Sequence, residues 1–543
     1  MNVYRYDLHE KLGQIKDAIA QCDFISVDTE LSGLHVGEKT KATEVDTAEM
    51  RYQKYRCMAS TYNIVQFGLT TFKFVPNETN ESPPINGHGK RKGQYHPSSR
   101  AGYYKAEPYN FYLFPTASVG KTQRDQQLVC QNSAFDFLAK SGFDFNMWVY
   151  RGIPYMTRQQ QQVYADSMLD RIQGNFPAIE VDEETLPFYD EFIKNLNAWL
   201  PNKQSNYMDV STSNSYQNRL VHQEVSKRKL NVITEGRRFS VRLTRVSPAR
   251  AQEAQKKKLA DFRHDVEEAM GFTSVIEYLI QARKPIVGHN VLLDLCHIFH
   301  QFCAPLPTTL AQFKMALHKV FPVVFDTKYI AESASWWESP GMSTTLEDLV
   351  DTLGVNTELL KRFKLGADFL SYGSPTFHEA GYDAFVTGKV FIWLWQLLGQ
   401  HEAQISPLNN TRVDFTSPHL ECRANRLYLV RSAIPFINLA ANDDIHGPKP
   451  NVYHIQTDQP HLVTDDYSQA FHEAPFGRCF IIPDGNQGIF LRLANIPPVV
   501  FQATDTIEYL LQTYCDEKYQ GQPWKGTVNA FDDISQRLGE YVL

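Results

Sequence analysis

The chain has 543 residues, 43% hydrophobic and 21% charged, with a formal net charge of −7. This composition can bury real cores and excludes a disordered polymer, and such a length divides into about three or four domains of ordinary size. The acidic balance excludes a protein that coats nucleic acid over its whole surface, while leaving room for a local basic groove.

No run of about 18 or more apolar residues occurs, so no membrane-spanning helix is expected. The eight cysteines (Cys22, Cys57, Cys130, Cys296, Cys303, Cys422, Cys479 and Cys515) form no CxxC pair. Their spacing suggests neither a zinc site nor a disulfide framework, and a reducing compartment fits best. The N-terminal MNVYRYDLHEKLGQIKDAIA has no apolar segment of signal-peptide type. A tail anchor, if the natural protein has one, would lie beyond Leu543.

Residues 8–21 read as a helix with Leu8, Leu12, Ile15 and Ile19 on one stripe. Phe24 to Val27 is a short apolar run ending at Asp28 and reads as a buried strand. Tyr62 to Phe74 reads as one or two strands, and Asn110 to Phe114 as another. Between them, residues 78–107 are rich in Pro, Gly, Ser and basic residues without apolar period, and read as a long exposed insertion. Residues 127–139 and 157–172 read as helices. From 176 to 250 a helical pattern (Phe188 to Leu200), a polar stretch and alternating segments such as RRFSVRLTRV suggest a separate small domain. A charged helical stretch, Ala251 to Glu268, leads back to strand–turn–helix patterns, KPIVGHNVLLDLCHIFH and then VFPVVFDTKYIA. An aromatic-rich helix, Tyr382 to Leu398, closes this part. Residues 430–543 alternate short strands and helices, as in a small α/β domain. The expected organisation is 1–175 and 251–425 as two halves of one α/β body, 176–250 inserted between them, and 426–543 as a C-terminal domain.

Three segments carry chemistry. In FISVDTELSGL, Asp28 and Glu30 project to the same side of a strand. Two carboxylates there repel and are costly to bury, and a bound divalent cation removes both objections. The alternative is a strand end running into solvent. In PIVGHNVLLDL, Gly288 permits a turn, Asn290 can cap the following helix, and Asp294 sits among Leu292, Leu293, Leu295 and Ile298, where an acid needs a partner. The alternative is an exposed helical Asp. In FHEAGYDAFVTGKVFIWLW, His378 and Asp383 lie five residues apart, about 140° around a regular helix. Gly381 suggests that His378 sits in the turn before the helix and Asp383 in its first turn, so that both look into one site. Taken together, four acids and a histidine fit a site for two Mg²⁺ ions, with Mn²⁺ able to substitute. Such ions clamp the attacking and leaving oxygens of an in-line displacement at phosphorus. His378 would act as general base, its ordinary pKa lying near neutrality. Hard oxygen ligands suit Mg²⁺ or Mn²⁺ and disfavour zinc.

These segments resemble the DEDD superfamily of 3′→5′ exonucleases, in the subclass with a histidine before the last Asp, and more narrowly the poly(A)-specific ribonuclease family with its piRNA-trimming relatives. The stretches DTELSGL (28–34), MRYQKYR (50–56), VQFGL (65–69), NFYLFP (110–115), SGFDFN (141–146), GIPY (152–155), GHNVLLDL (288–295), FDTK (325–328) and HEAGYDAF (378–385) run in family order. The resemblance implies an RNase H-like mixed-sheet α/β exonuclease body. It implies metal-binding carboxylates at Asp28, Glu30, Asp294 and Asp383, with His378 as base. It further implies substrate contacts from Leu31, Ser32 and Leu34 and a phosphate contact from Lys328, for which a plain surface lysine is the alternative. Asp326 resembles a structural acid rather than a catalytic one.

The 176–250 segment resembles the family's single-stranded nucleic-acid-binding domain of the Arg-xxx-His type, although Arg219 and His222 here are spaced Arg-xx-His. Lys227, Arg228, Lys229, Arg237, Arg238, Arg242 and Arg245, with Tyr216 and Phe239 nearby, suit a single-stranded backbone with stacked bases, or else form a solvated basic face. Lys90, Arg91, Lys92, Arg100 and Lys105 make a second candidate contact. The C-terminal region resembles the family's RNA-recognition-motif-like domain. No Trp stands where the family's cap-stacking Trp is expected, since Ile481 and Ile482 occupy that strand, and the one Trp of the region is Trp524. The aromatic signature of a base-stacking motif is also missing, which favours dimerisation or partner docking over cap binding.

The leading expectation is therefore an active exoribonuclease that shortens RNA 3′ ends and releases 5′-nucleotides, trimming piRNA precursors. A poly(A) deadenylase of mRNA or noncoding RNA is the nearest competitor, followed by an inactive RNA-binding scaffold and a DNA exonuclease. The implied partners are a single-stranded RNA 3′ end, an Argonaute/Piwi-type protein, a Tudor-type adaptor and a second copy of the chain. The expected location is the cytoplasm, at the mitochondrial surface or in RNA granules.

Overall fold

Strand Phe24–Leu31 is apolar on both faces because both faces are covered. In the computed structural model the described residues are 1–43, 46–77, 101–115, 118–119, 122–123, 127–173, 180–202, 204–334, 343–355, 361–402, 411–432, 434–441, 452–457, 464–471, 479–484, 488–493, 503–519 and 523–530. They fall into two compact units.

The first unit comprises Met1–Thr116, Asp125–Tyr155 and Phe272–Leu543. Its seven-stranded mixed sheet runs in the order Asn2–Val3, Gly102–Tyr112, Ile64–Pro76, Phe24–Leu31, Ile286–Gly288, Val324–Asp326, with Phe363–Leu365 added beside Gly102–Tyr112. The long strands from Phe24 to Tyr112 are antiparallel, whereas Ile286–Gly288 and Val324–Asp326 join in parallel. The expected RNase H-like α/β body is therefore present. Ile25, Val27 and Leu31 face a core with the helices Arg5–Gln21, Thr273–Ala282 and Leu292–Ile298. Phe24 faces a second core built on helix Ala380–Glu402. That helix is apolar almost all round, as befits an interior helix.

Several expectations need correction. Tyr62 to Phe74 is one long strand, Ile64–Pro76. Its partner begins at Gly102, well before Asn110, so the end of the expected 78–107 insertion is sheet. Lys105 accordingly lies on a strand, paired with Glu107 at 2.5 Å; Lys90, Arg91, Lys92 and Arg100 lie outside the described residues. Asn290 does not cap the next helix. It adopts a left-handed φ of 54° and donates its N–H to Asp326, while the helix starts at Leu292. The hairpin Arg426–Tyr428/Phe436–Asn438 buries Leu427, Leu429, Ile437 and Leu439 in the core of the body, so the C-terminal region begins after it.

The MRYQKYR stretch is explained by packing. Asp46 is fully buried between Arg51 at 2.9 Å and Lys54 at 2.7 Å. Arg51 also donates to the carbonyls of Val430 and Arg431, and the Ser432 hydroxyl donates to the Asp46 carbonyl. Buried charges are tolerated only when paired in this way.

Beyond Ala441, the strands Val452–Thr457, Cys479–Asp484, Gly488–Leu493 and Gly526–Ala530 form an antiparallel sheet with helices Thr464–Ala470 and Ala503–Lys518 between them. Ile481 and Trp524 pack partly buried against its core.

The second unit comprises Ala117–Arg124 and Met156–Gly271, wider than the 176–250 span expected from composition. Helices Arg158–Gln173 and Pro248–Met270 pair through Tyr164, Phe262 and Met270. A three-stranded sheet, Tyr207–Ser211, Ser240–Arg245, Val232–Arg237, packs on helices Leu186–Trp199 and Ser215–Lys227.

Candidate active site

The acids converge because two local features bring a helix end down onto the Phe24–Leu31 strand. Opposite Asp28 in the sheet stands Gly68. A Cβ there would lie 1.7 Å from the Ala380 carbonyl oxygen, so only glycine admits the start of helix Ala380–Glu402. The Gln66 side chain accepts the Ala380 N–H at 3.0 Å, and the Ser26 hydroxyl donates to the Ala384 carbonyl. These ties anchor the first helical turn, which carries Asp383, over Asp28 and Glu30. A register shift between Glu30 and Leu31 ends the regular ladder there, a bulge of the kind that re-aims side chains beside functional sites.

Carboxylate oxygens of Asp28, Glu30 and Asp383 lie within 4.8 Å of one another. Asp383 is buried; one of its oxygens accepts the His378 N–H at 2.9 Å, and the other has no hydrogen-bond partner. Asp294 stands outside this trio. It comes from the opposite face of the sheet, where the Thr29 hydroxyl donates to it. Burial, followed by the charges of Asp383, Asp294 and Glu30, pushes the Asp28 carboxyl well above its usual range. Glu30 is raised by burial and by Asp383 and Asp294. Burial raises Asp294 and Asp383 to about 7, against the pull of the Thr29 hydroxyl on the first and the His378 N–H on the second. Four packed carboxylates with a buried, unpartnered oxygen are costly alone and fit a divalent cation with hard oxygen ligands.

His378 sits in the turn before the helix, as the sequence suggests, with a left-handed φ of 67°. That conformation is uncommon away from glycine. Its exposed ring meets the edge of Phe137, with centroids 4.6 Å apart. Leu31 is buried, and Ser32 is wholly buried with its hydroxyl donating to the Val129 carbonyl at 2.8 Å. Leu34 is 45% exposed, and its N–H and that of His35 both donate to the Gln131 side chain. Lys328 is held by the Thr344 hydroxyl and by Glu332 at 3.4 Å. Asp326 is fully buried and accepts three backbone N–H groups, from Asn290, Lys328 and Tyr428. It therefore joins the turn before Asp294 to the neighbouring strand ends, a structural duty. Thr29, Gln131 and Phe137 are site residues that the sequence motifs do not include. The alternation of strand faces could have flagged Thr29; nothing local marks the other two.

In the second unit, four of the candidate RNA-binding arginines are already engaged, Arg237 by Glu235 at 3.4 Å. Arg242 forms a two-point pair with Asp209, Arg228 bonds Glu224 and Asn197, and Arg245 bonds the carbonyls of Trp199 and Asn202. His222 contacts the Thr234 hydroxyl at 2.8 Å, and burial lowers its pKa. Lys227, Lys229, Arg237, Arg238 and Phe239 remain exposed, with Arg238 over the Phe239 ring.

Known ribonucleases share sequence with this chain over most of its length. The poly(A)-specific ribonuclease PARN of Xenopus laevis is 29% identical over 545 residues, covering 95% of this chain and 81% of its own length. The pre-piRNA 3′-exonuclease trimmer of Bombyx mori is 27% identical, covering 84% of this chain and 82% of its own. A solved structure of S. pombe Pop2p aligns over 79% of this chain and 98% of its own at 15% identity, with a TM-score of 0.34. The model of the CAF1 family ribonucleases matches residues 3–391, a span that holds all four acids and His378. This chain belongs to the CAF1 family of ribonucleases.

Proposed function

We propose that this ribonuclease is a metal-dependent 3′→5′ exonuclease that shortens single-stranded RNA from a free 3′ end. The observation that carries this reading is the trio Asp28, Glu30 and Asp383 within 4.8 Å, with one buried Asp383 oxygen unpartnered. Asp28, Glu30 and Asp383 would hold one Mg²⁺ or Mn²⁺, and Asp294, steadied by Thr29, would serve a second beside Asp28. When bound, the two ions supply positive charge that favours hydroxide over water and stabilises the departing 3′-oxygen. His378 takes the proton from the attacking water, and the bond from its own N–H to Asp383 ties the base to the acid cluster. Leu34, exposed beside the acid-bearing strand, offers an apolar surface for a terminal base, and Lys328 lies where the family resemblance puts a phosphate contact.

Among substrates, the favoured reading is a piRNA precursor. It rests on the missing cap-stacking Trp and on the similarity to the Bombyx mori trimmer. Deadenylation is the second reading, favoured by the longer match to PARN. One experiment tests both levels. The protein is given 5′-labelled RNA in Mg²⁺ or Mn²⁺, either as capped poly(A) RNA or as a short RNA held at its 5′ end by an Argonaute-type protein. A ladder shortening from the 3′ end, abolished by chelation, is expected, with the held RNA preferred. Preference for poly(A) selects deadenylation. RNA binding without any shortening sinks the exonuclease reading. Unchanged rates on a terminal 2′-O-methyl or 2′-deoxy end would remove the RNA specificity that comes from reading the 2′-hydroxyl.

A further inference from the structure

The sheet of the second unit ends in strand Tyr207–Ser211, which pairs on one side only, with Ser240–Arg245. The Arg245 N–H donates to the Asn206 carbonyl and the Thr212 N–H to the Phe239 carbonyl. In an antiparallel ladder this alternation turns Met208 and Val210 toward the neighbour, and Tyr207, Asp209 and Ser211 toward the free edge. The Ser205 hydroxyl satisfies Tyr207, accepting from its N–H and donating to its carbonyl. The main-chain N–H and C=O groups of Asp209 and Ser211 face outward with no partner among the described residues. Such an edge is a template for another strand.

Beside it runs a groove of about 260 Å³ between the strand and helix Leu186–Trp199. Phe188, Glu191, Phe192 and Asn195 form its helix wall, at the spacing of one helix face, and Met208 and Val210 form its floor. Glu191 is the acid of its helix wall, while Asp209 on the strand is already held by Arg242. Residues 180–200 contain Glu180, Asp182, Glu183, Glu184, Asp190 and Glu191 against a single basic residue, Lys194. An RNA backbone is repelled by Glu191 and this acidic helix, whereas a cationic side chain of a peptide is attracted to it.

We propose that this groove binds an extended, arginine- or lysine-bearing peptide segment of a partner protein, which adds as a further strand beside Tyr207–Ser211. Main-chain bonds to Asp209 and Ser211 hold the peptide, apolar side chains two residues apart enter between Phe188, Phe192 and Met208, and a basic side chain on that same face of the peptide, two residues further along, meets Glu191. This is strand addition, in which the backbone gives affinity and the pockets give specificity. The site is separate from the acid cluster and would deliver or retain the enzyme without taking part in hydrolysis.

The test uses the full chain and fluorescein-labelled octapeptides that carry Val, Leu or Phe at two successive positions of one strand face and Arg at the next position of that face, with Thr between them, followed by anisotropy. At least one should bind. Ser211→Pro removes an outward N–H without breaking a bond to Ser240–Arg245, and edge positions tolerate proline; it should weaken binding by about tenfold or more, as loss of a main-chain bond and its geometry implies. Glu191→Lys should weaken the Arg peptides and admit the matching Glu peptides. RNA shortening should be unchanged in both variants. Failure of every peptide, equal binding to both variants and wild type, or equal binding of peptides N-methylated along the backbone would overturn the proposal. So would displacement of the peptide by an RNA oligomer. A wild-type chain that self-associates in sedimentation while Ser211→Pro stays monomeric would assign the edge to a second copy instead.

Discussion

Thr29 occupies the face of its strand opposite Asp28 and Glu30, yet its hydroxyl is what holds Asp294. The site is thus assembled from both faces of the sheet at the strand's end. Thr29→Val keeps the shape and removes the hydroxyl. We expect metal affinity or turnover to fall by about 10–100-fold, the usual effect of losing a ligand's supporting partner, with the fold intact by circular dichroism. His378→Ala should lower the chemical step by about 10²–10⁴-fold, the range for a general base, as single-turnover cleavage of labelled RNA would report. Asp383→Asn should abolish cleavage while still accepting the His378 N–H; appreciable residual rate at ordinary Mg²⁺ would exclude Asp383 from the site. The acids were legible as a pair at i and i+2 and as lone acids in apolar patterns. Thr29, Gln131 and Phe137 were not, because their roles exist only as contacts between segments distant in sequence.

At the scale of elements, the approach of helix Ala380–Glu402 to the sheet depends on a side chain that is absent. Gly68→Ala would place a methyl group on the Ala380 carbonyl. Overpacking of this kind costs about 1–3 kcal/mol, and here the strain falls on the turn that carries His378 and Asp383. We expect a lower melting temperature together with a loss of activity larger than the folded fraction accounts for. Gly388, facing the Phe72 ring two turns along, is a built-in comparison: substitution there should destabilise while touching the acids less. Elements with a clear period were readable, as Arg5–Gln21 shows. Gly102–Tyr112 was read late because its first residues continue the composition of the preceding polar stretch. Asn290 misled because a helix cap and a left-handed turn residue favour the same amino acid.

For the whole molecule, the acid cluster makes stability depend on pH and metal in a definite sense. In the metal-free protein Asp294 and Asp383 titrate near 7, against an ordinary value of 3.8. Between those values the folded chain keeps protons that the unfolded chain has released. Their contribution is full below about pH 4 and is lost as pH rises through about 7. The melting temperature of chelated protein should therefore drop between about pH 4 and pH 7, and Mg²⁺ should restore more at the higher pH. An unchanged profile in Asp294→Asn/Asp383→Asn, compared with wild type, would show that other groups set it. The division into units was only partly legible, since composition marks the polar middle of the second unit and not the two helices that complete it.

One junction in the body decides how much of the chain can be removed. The Phe272 N–H donates to the Pro154 carbonyl at 2.9 Å, so the two halves of the exonuclease meet where the Met156–Gly271 segment leaves and returns. To the body, that whole segment is a loop whose ends are already closed, and the entropy of closing a loop grows only logarithmically with its length. The junction is thus a permissive port, at which the length of the segment can change with little disturbance to the sheet. A body joined from Tyr155 to Phe272 by a short Gly/Ser linker should keep the acid cluster and still shorten short RNA, and would show which parts of substrate choice depend on residues 156–271.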